Sequence, residues 1–256
     1  MEHIKVRDYT KVLNRINLAL KDNYKLDTLG YIKNSNHIYP FNKLTLGKNK
    51  TKRVLISAGI HGDEPAGVET VCAFLESGLY KPFLNLLEII ILPCINPYGY
   101  EFNTRENHAQ IDLNRMFKVT TPPIEVKLTQ SVFKKNYFNI SLELHEDFES
   151  HGFYLFQKSN KPFGMELGHK IIESVKTVLP INLESIIDVN PAENGLIHRI
   201  KDIGDMKWWP MAGYSLEKKT GHCFTFETPM NYSLQTRVEA NLIAIKKALI
   251  ECVTIN

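Results

Sequence analysis

The sequence predicts an α/β fold with a largely parallel or mixed sheet covered by helices. Short apolar runs alternate with stretches of helical period, the rhythm of α/β architectures. The runs are apolar on both faces, as strands buried between helix layers are. No internal repeat, low-complexity tract or Ser/Gly linker interrupts the 256 residues. One domain spanning residues 1–256 is therefore expected, long enough to bury a sizeable core.

Five apolar runs read as strands: Arg53–Ala58, Leu87–Leu92, Ile140–Leu144, Phe153–Gln157 and His222–Glu227. Pro65–Ser77 reads as a helix opened by its proline, with Ala66, Val68, Val71, Cys72 and Leu75 apolar. Glu125–Lys135 and Pro162–Val178 show similar periodicity. In Ser233–Val253, Leu234, Val238, Leu242, Ile245, Leu249 and Val253 recur every three or four residues behind Ser233 as N-cap. Pro180–Gly221 breaks the rhythm with Pro191, Gly195, Gly204, Pro210, Gly213, Trp208 and Trp209. A long irregular excursion inside a compact domain reads as a functional loop.

Composition removes several function classes. Lys and Arg exceed Asp and Glu by 31 − 28 = 3, too little to argue for nucleic acid or an anionic membrane. The longest apolar run, Leu86–Pro93, contains Glu88 and is far short of the roughly 18 residues of a span. Glu2, Lys5, Arg7, Asp8, Lys11 and Arg15 leave no apolar core for a signal peptide. Cys72, Cys94, Cys223 and Cys252 show no paired spacing. They read as reduced core thiols of a cytoplasmic protein.

In open α/β sheets ligands bind beyond the carboxyl ends of strands. The junction Gly59-Ile60-His61-Gly62-Asp63-Glu64-Pro65 follows the first run. There an imidazole and a carboxylate three residues apart can converge, as ligands of a catalytic zinc do. A third ligand must come from another strand end, and His145 follows Ile140–Leu144. A histidine satisfied by a neighbouring acid is the plainer alternative for it. The polar flank Glu146-Asp147 suits either an amine-bearing substrate or solvated surface. Arg105, Asn114 and Arg115, after the Leu87–Leu92 run, form an anion-recognition set, or an ordinary charged loop. Glu227 ends an apolar run, where burial and a nearby ion tune a carboxylate as a base, or where it is structural. His108, His151, His198 and His222 read as structural or exposed.

Together these pieces resemble the zinc carboxypeptidase (M14, carboxypeptidase A-like) superfamily. The matching motifs are His61-Gly62-Asp63-Glu64, Asn96-Pro97-Tyr98-Gly99, Thr104-Arg105-Glu106-Asn107, Asp112-Leu113-Asn114-Arg115, His145 and Thr225-Phe226-Glu227. They occur in the family's order across residues 53–230. The resemblance implies a three-layer α/β/α sandwich with a mixed central sheet. It implies Zn2+ on His61, Glu64 and His145, with Asp112 orienting the first histidine. It implies Glu227 as general base, Arg105 polarising the scissile carbonyl, and Asn114 and Arg115 holding the substrate's terminal carboxylate. Family members close a tyrosine from the loop before the catalytic glutamate over the substrate, and Tyr214 is the nearest tyrosine in that loop.

The implied activity is hydrolysis of an amide bond next to a free carboxylate in a peptide, including cell-wall-derived peptides. The succinylglutamate desuccinylase/aspartoacylase branch also carries His-Gly-x-Glu and Asp-Leu-Asn-Arg, and acts on N-acyl amino acids. Its members tend to carry a further β-rich domain, whereas 29 residues follow Glu227 here, so the peptidase branch is the expectation. A metal-free binding protein on the same scaffold is the reading of another class. The filled polar positions weigh against it.

Overall fold

The computed structural model describes residues 4–21, 24–34, 36–134, 136–160, 165–198 and 202–254. Helix α1 (Tyr9–Leu20) comes first; Asp8 caps it by accepting from the Thr10 N–H at 2.9 Å. Strands β1 (Leu26–Lys33) and β2 (Ile38–Leu46) form an antiparallel pair. There follow β3 (Lys52–Ala58), α2 (Pro65–Glu76), β4 (Leu87–Leu92), α3 (Pro97–Phe102), α4 (Ile124–Phe133) and β5 (Ile140–Asp147). Next come β6 (Tyr154–Ser159), α5 (Met165–Val175), β7 (Ile186–Ile187), β8 (Asn190–Pro191) and β9 (Leu196–Ile197). The chain ends with α6 (Met211–Glu217), β10 (His222–Pro229) and α7 (Leu234–Thr254).

Eight strands form one mixed sheet in the order β1-β2-β4-β3-β5-β10-β6-β9. The neighbours β4, β3, β5 and β10 run parallel. β2 on β4 and β6 on β10 are antiparallel. Side chains alternate across the sheet, and β5 shows what each face carries. Leu144 and Glu146 meet α2: Gly67 lies against Leu144, and the Ala66 N–H donates to Glu146. Ser141 and Glu143 meet α6: Ser215 Oγ donates to Ser141 Oγ at 3.2 Å, and the Ala212 N–H faces Glu143. Helices thus cover both faces, and the fold is the three-layer α/β/α sandwich.

Each of the five expected strands is present, but three run past their expected ends, β6 reaching Ser159. β5 continues through His145 to Asp147, and β10 continues through Glu227 to Pro229. His145 and Glu227 therefore sit near the ends of paired strands, opposite each other in the register, with Glu227 also paired to Tyr154 of β6. Residues 135 and 162–164 of two expected helices lie outside the described residues. The buried stripe of α7 differs from the expected one at its start and in taking in alanines. Ala240, Ala244 and Ala248 are buried, while Leu234 is 39% exposed. Of the expected stripe, Ile245 and Leu249 are buried and Val238, Leu242 and Val253 half-buried, and the alanines join them where α7 packs on α2 and α5.

The stretch 180–221 is structured as β7, β8, β9, a 3-10 turn at Ile203–Asp205 and α6. All four cysteines are free and buried. No helix among the described residues is long and apolar enough to cross a membrane.

Candidate active site

Strand β3 delivers the chain to the first part of the site. Gly59 turns with φ +63°, which favours glycine. Gly62 packs so closely on α3 that a Cβ there would lie 1.9 Å from the Gly99 carbonyl carbon. Pro65 then opens α2. This tight turn fixes His61 and Glu64, both buried. Arg7 braces it from outside, donating to the carbonyls of Gly62 at 3.2 Å and Tyr100 at 3.0 Å.

Glu64 is the centre of the arrangement. Its Oε1 lies 2.6 Å from His61 Nδ1, and its Oε2 lies 2.9 Å from His145 Nδ1. The Glu146 N–H and Arg105 Nη1 also donate to it, at 3.2 and 3.3 Å. One donor atom from each of His61, Glu64 and His145 lies within 4.8 Å of the other two. Two imidazole nitrogens and one carboxylate oxygen are the donor set of catalytic zinc sites with an open fourth position. Asp112 Oδ1 stands 3.3 Å from His61 Nε2. An outer carboxylate of this kind fixes the tautomer and would leave Nδ1 free to bind an ion. These residues fit a metal ion.

The electrostatics follow from that crowding. Burial alone would raise Glu64, but His145 and His61 overcome it and hold the carboxyl at about 2. Burial works against the His61 imidazolium, and Asp112 and Glu64 raise it nonetheless. Burial lowers His145 despite Glu64. Glu227 is raised well above its ordinary value, by burial first and then by Glu64, Asp147 and Asp188. Burial pushes Glu143 up to about 8.

A cleft of about 950 Å³ opens over this centre. It is lined by His61, Glu64, His145, Arg105, Asn114, Arg115 and Glu227. Arg105 reaches Asp112 Oδ2 through Nε at 3.2 Å. Asn114 Oδ1 accepts from the Met211 N–H at 2.8 Å, tying the loop that carries Arg115 to α6. Arg115 lies with Cζ 3.9 Å above the Trp208 ring, a cation–π contact that holds the guanidinium at the cleft wall.

Tyr214 is placed elsewhere. Its ring packs against Phe117 at 5.8 Å and Phe133 at 5.5 Å, and it does not line the cleft. It sits on the inner side of α6, where the apolar floor takes it up. The tyrosine among the described lining residues is Tyr154, which donates to Asp147 Oδ2 at 2.8 Å beside Glu227 in the register. Glu146 is also not the surface acid that one sequence reading allowed. It is buried, accepts from the Ala66 N–H at 2.6 Å and pairs with Arg237. His151 is exposed and lines the cleft.

Arg237→Ala would strand the Glu146 carboxylate in the interior. The expected loss is about 3–5 kcal/mol of unfolding free energy, measured by denaturant titration. A loss below about 1 kcal/mol would mean that the pair is not the buried contact described.

Tyr154, Asp188 and Glu143 of the cleft carry no sequence signal as site residues, and Trp208 stands out only as part of the irregular stretch. Trp208 lies in an irregular stretch, Tyr154 and Glu143 hide within apolar runs, and Asp188 sits in the β7–β8 turn with φ +46°. The doublet Trp208-Trp209 was the one available signal.

A family model described as the succinylglutamate desuccinylase/aspartoacylase catalytic domain matches residues 50–189. The match takes in His61, Glu64, Arg105, Asp112, Asn114, Arg115 and His145, and ends before Glu227. No curated protein sequence matches the chain. Among solved structures, a candidate metallopeptidase from Shewanella amazonensis superposes with a TM-score of 0.82 at 21% identity, covering 95% of this chain and 93% of that one. Another candidate metallopeptidase, from Shewanella denitrificans, gives 0.81 at 21% identity, covering 97% and 92%. A metallo-carboxypeptidase from Burkholderia cenocepacia gives 0.71 at 16%, covering 96% of this chain and 68% of that one. At these identities the likeness is one of fold. The family model extends over more than half the sequence, and the chain belongs to the succinylglutamate desuccinylase/aspartoacylase catalytic-domain family, within the zinc carboxypeptidase-like superfamily.

Proposed function

We propose that the protein is a zinc-dependent hydrolase that cleaves an amide bond next to a free carboxylate in a small peptide. The observation that carries this reading is the convergence of the His61 and His145 imidazoles, the Glu64 and Glu227 carboxylates and the Arg105 and Arg115 guanidiniums on one cleft. A zinc ion held by His61, Glu64 and His145 would supply positive charge to polarise a carbonyl and acidify a water. The chain's own residues do the rest. Glu227 takes the proton of the attacking water on its carboxylate and passes it to the leaving amine. Arg105 donates to the carbonyl oxygen as charge develops there. Arg115, with the NH2 end of Asn114, holds the substrate carboxylate and turns binding energy into orientation.

A second reading, hydrolysis of N-acyl amino acids, is favoured by the family model. The cleft volume supports the peptide reading: about 950 Å³ lies near the top of the usual range for small-molecule pockets, and exceeds what a single acyl amino acid fills. The buried free thiols support a reducing, cytoplasmic setting. A panel of C-terminally free peptides, cell-wall-derived peptides and N-acyl amino acids, assayed with zinc, tests the proposal. Cleavage of the peptides with release of the C-terminal residue is expected. Exclusive cleavage of acyl amino acids would replace it with the second reading.

Arg115→Ala is expected to raise KM about tenfold to a hundredfold, the worth of a hydrogen bond to a charged group. Trp208→Ala should raise it about two- to fivefold, through loss of the stacked face. A drop in kcat with KM unchanged would contradict the anchoring role.

A further inference from the structure

The N-terminal arm ahead of α1 lies outside residues 50–189, the stretch that the family model matches, and no step of the proposed reaction involves it. It docks on α3 through Glu101, which is 1% exposed. The Glu101 carboxylate accepts from Lys5 Nζ at 2.7 Å, from the Tyr9 N–H at 2.9 Å and from the Tyr39 hydroxyl at 2.9 Å. Its backbone carbonyl accepts from the N–H groups of Val6 at 2.7 Å and Arg7 at 3.1 Å. These bonds fix the Arg7 backbone at the C-terminal end of α3.

From there the half-buried Arg7 side chain reaches two parts of the site at once. Its Nη1 donates to the carbonyls of Gly62 at 3.2 Å and Tyr100 at 3.0 Å, and its Nη2 donates to Asn103 Oδ1 at 2.7 Å. Its Cζ lies 5.3 Å from the centre of the Tyr100 ring. Gly62 is buried between His61 and Glu64, two of the candidate metal ligands. Asn103 ends α3 in the left-handed conformation, φ +56°. Two residues later, Arg105 donates to Glu64 and Asp112.

A cation suits the carbonyls at a helix C-terminus, which accounts for the bond to Tyr100. The Gly62 carbonyl belongs to a different segment. One guanidinium thus ties the ligand turn to the start of the loop that carries Arg105. A buried carbonyl that loses its donor is costly, so the turn would shift toward another partner and carry His61 and Glu64 with it. Arg15, the other arginine of the first 50 residues, pairs instead with Glu69 and Glu76 on the flank of α2.

We propose that Arg7 is a positioning residue for the active site. By holding the Gly62 and Tyr100 carbonyls together it sets the ligand turn, and with it zinc retention, and it places Arg105 against Glu64. This rests on the zinc-hydrolase reading above, and metal binding measured without substrate separates the two.

Zinc affinity is measured on the full chain by chelator competition, at a temperature where circular dichroism shows each variant folded. Arg7→Met keeps the apolar stem and removes the donors. It is expected to lower zinc affinity about tenfold, the lower end for loss of an outer partner. Arg7→Lys, whose ammonium can serve both carbonyls, should bring affinity back to within about threefold of the wild type. Arg15→Gln breaks ion pairs away from the turn and should leave zinc affinity within about twofold. At saturating zinc, Arg7→Met should lower kcat about tenfold with KM nearly unchanged, because Asn114 and Arg115 are undisturbed. Zinc affinity in Arg7→Met within about twofold of the wild type overturns the proposal, being too small for an outer partner. So does a loss that Arg15→Gln reproduces or that Arg7→Lys does not recover, and so does a raised KM with kcat unchanged. If the wild type binds zinc but cleaves no substrate, the hydrolase reading fails and the zinc titration still decides the role of Arg7. A wild type that binds no zinc removes both. If Arg7→Met does not fold, Arg7→Gln, with a shorter reach to the two carbonyls, is read in the same way.

Discussion

Glu227→Gln is expected to keep its metal and lose at least about a hundredfold in kcat, within the usual range for removing a general base. The amide preserves size and some hydrogen bonding, but it cannot take the water's proton. None of the three candidate ligands is touched, so zinc content by elemental analysis should equal that of the wild type. The pH profile gives an independent check. Burial, Glu64, Asp147 and Asp188 all raise Glu227 above the ordinary carboxylate range, with Arg105 opposing. A base works only when ionised, so kcat/KM should rise with pH through this raised value, and activity should be lost below it. Asp147→Asn removes one of the raising charges and should move the acidic limb to lower pH. Normal turnover in Glu227→Gln, or an acidic limb that Asp147→Asn leaves in place or moves upward, would remove Glu227 from the role of base.

His145→Ala is expected to lower metal affinity at least about a hundredfold, more than the 10–100-fold typical of losing an outer partner. Two ligands would remain, His61 and Glu64, both in the turn between β3 and α2. Asp112→Asn provides the graded comparison. It should weaken metal binding less, because it disturbs only the orientation of His61 through the 3.3 Å contact to Nε2. Unaltered metal content in His145→Ala would exclude His145 from the ligand set. An effect of Asp112→Asn as large as that of His145→Ala would make the carboxylate a ligand itself.

The parallel centre of the sheet was legible because its strands are buried on both faces and read as continuous apolar runs. The edge was not. β1 buries only Ile32, so its sequence carries neither a run nor clean alternation. α1 does carry apolar residues at helical spacing, with Tyr9, Val12, Ile16 and Leu20 buried, but polar residues such as Lys11, Asn14 and Arg15 interrupt the pattern. The cluster of His61, Glu64 and His145 was legible because its pieces lie at strand ends and belong to a series of motifs in one order, although His-x-x-Glu alone is a weak signal. The cleft wall depends on contacts between distant stretches, such as Arg115 on Trp208 and Asn114 on Met211. Local pattern contains no signal for these. Tyr214 shows the converse: proximity in sequence to the expected position carried it into the expected site, whereas α6 turns its ring inward against Phe117 and Phe133.

The central claim is that His61, Glu64 and His145 hold one divalent ion together. Anomalous diffraction at the zinc edge from zinc-loaded crystals tests it directly. A single strong peak is expected, with nitrogen and oxygen ligands from these three residues at about 2.0–2.2 Å. A peak bonded to other side chains, or no peak at zinc concentrations that saturate catalytic zinc proteins, would contradict it.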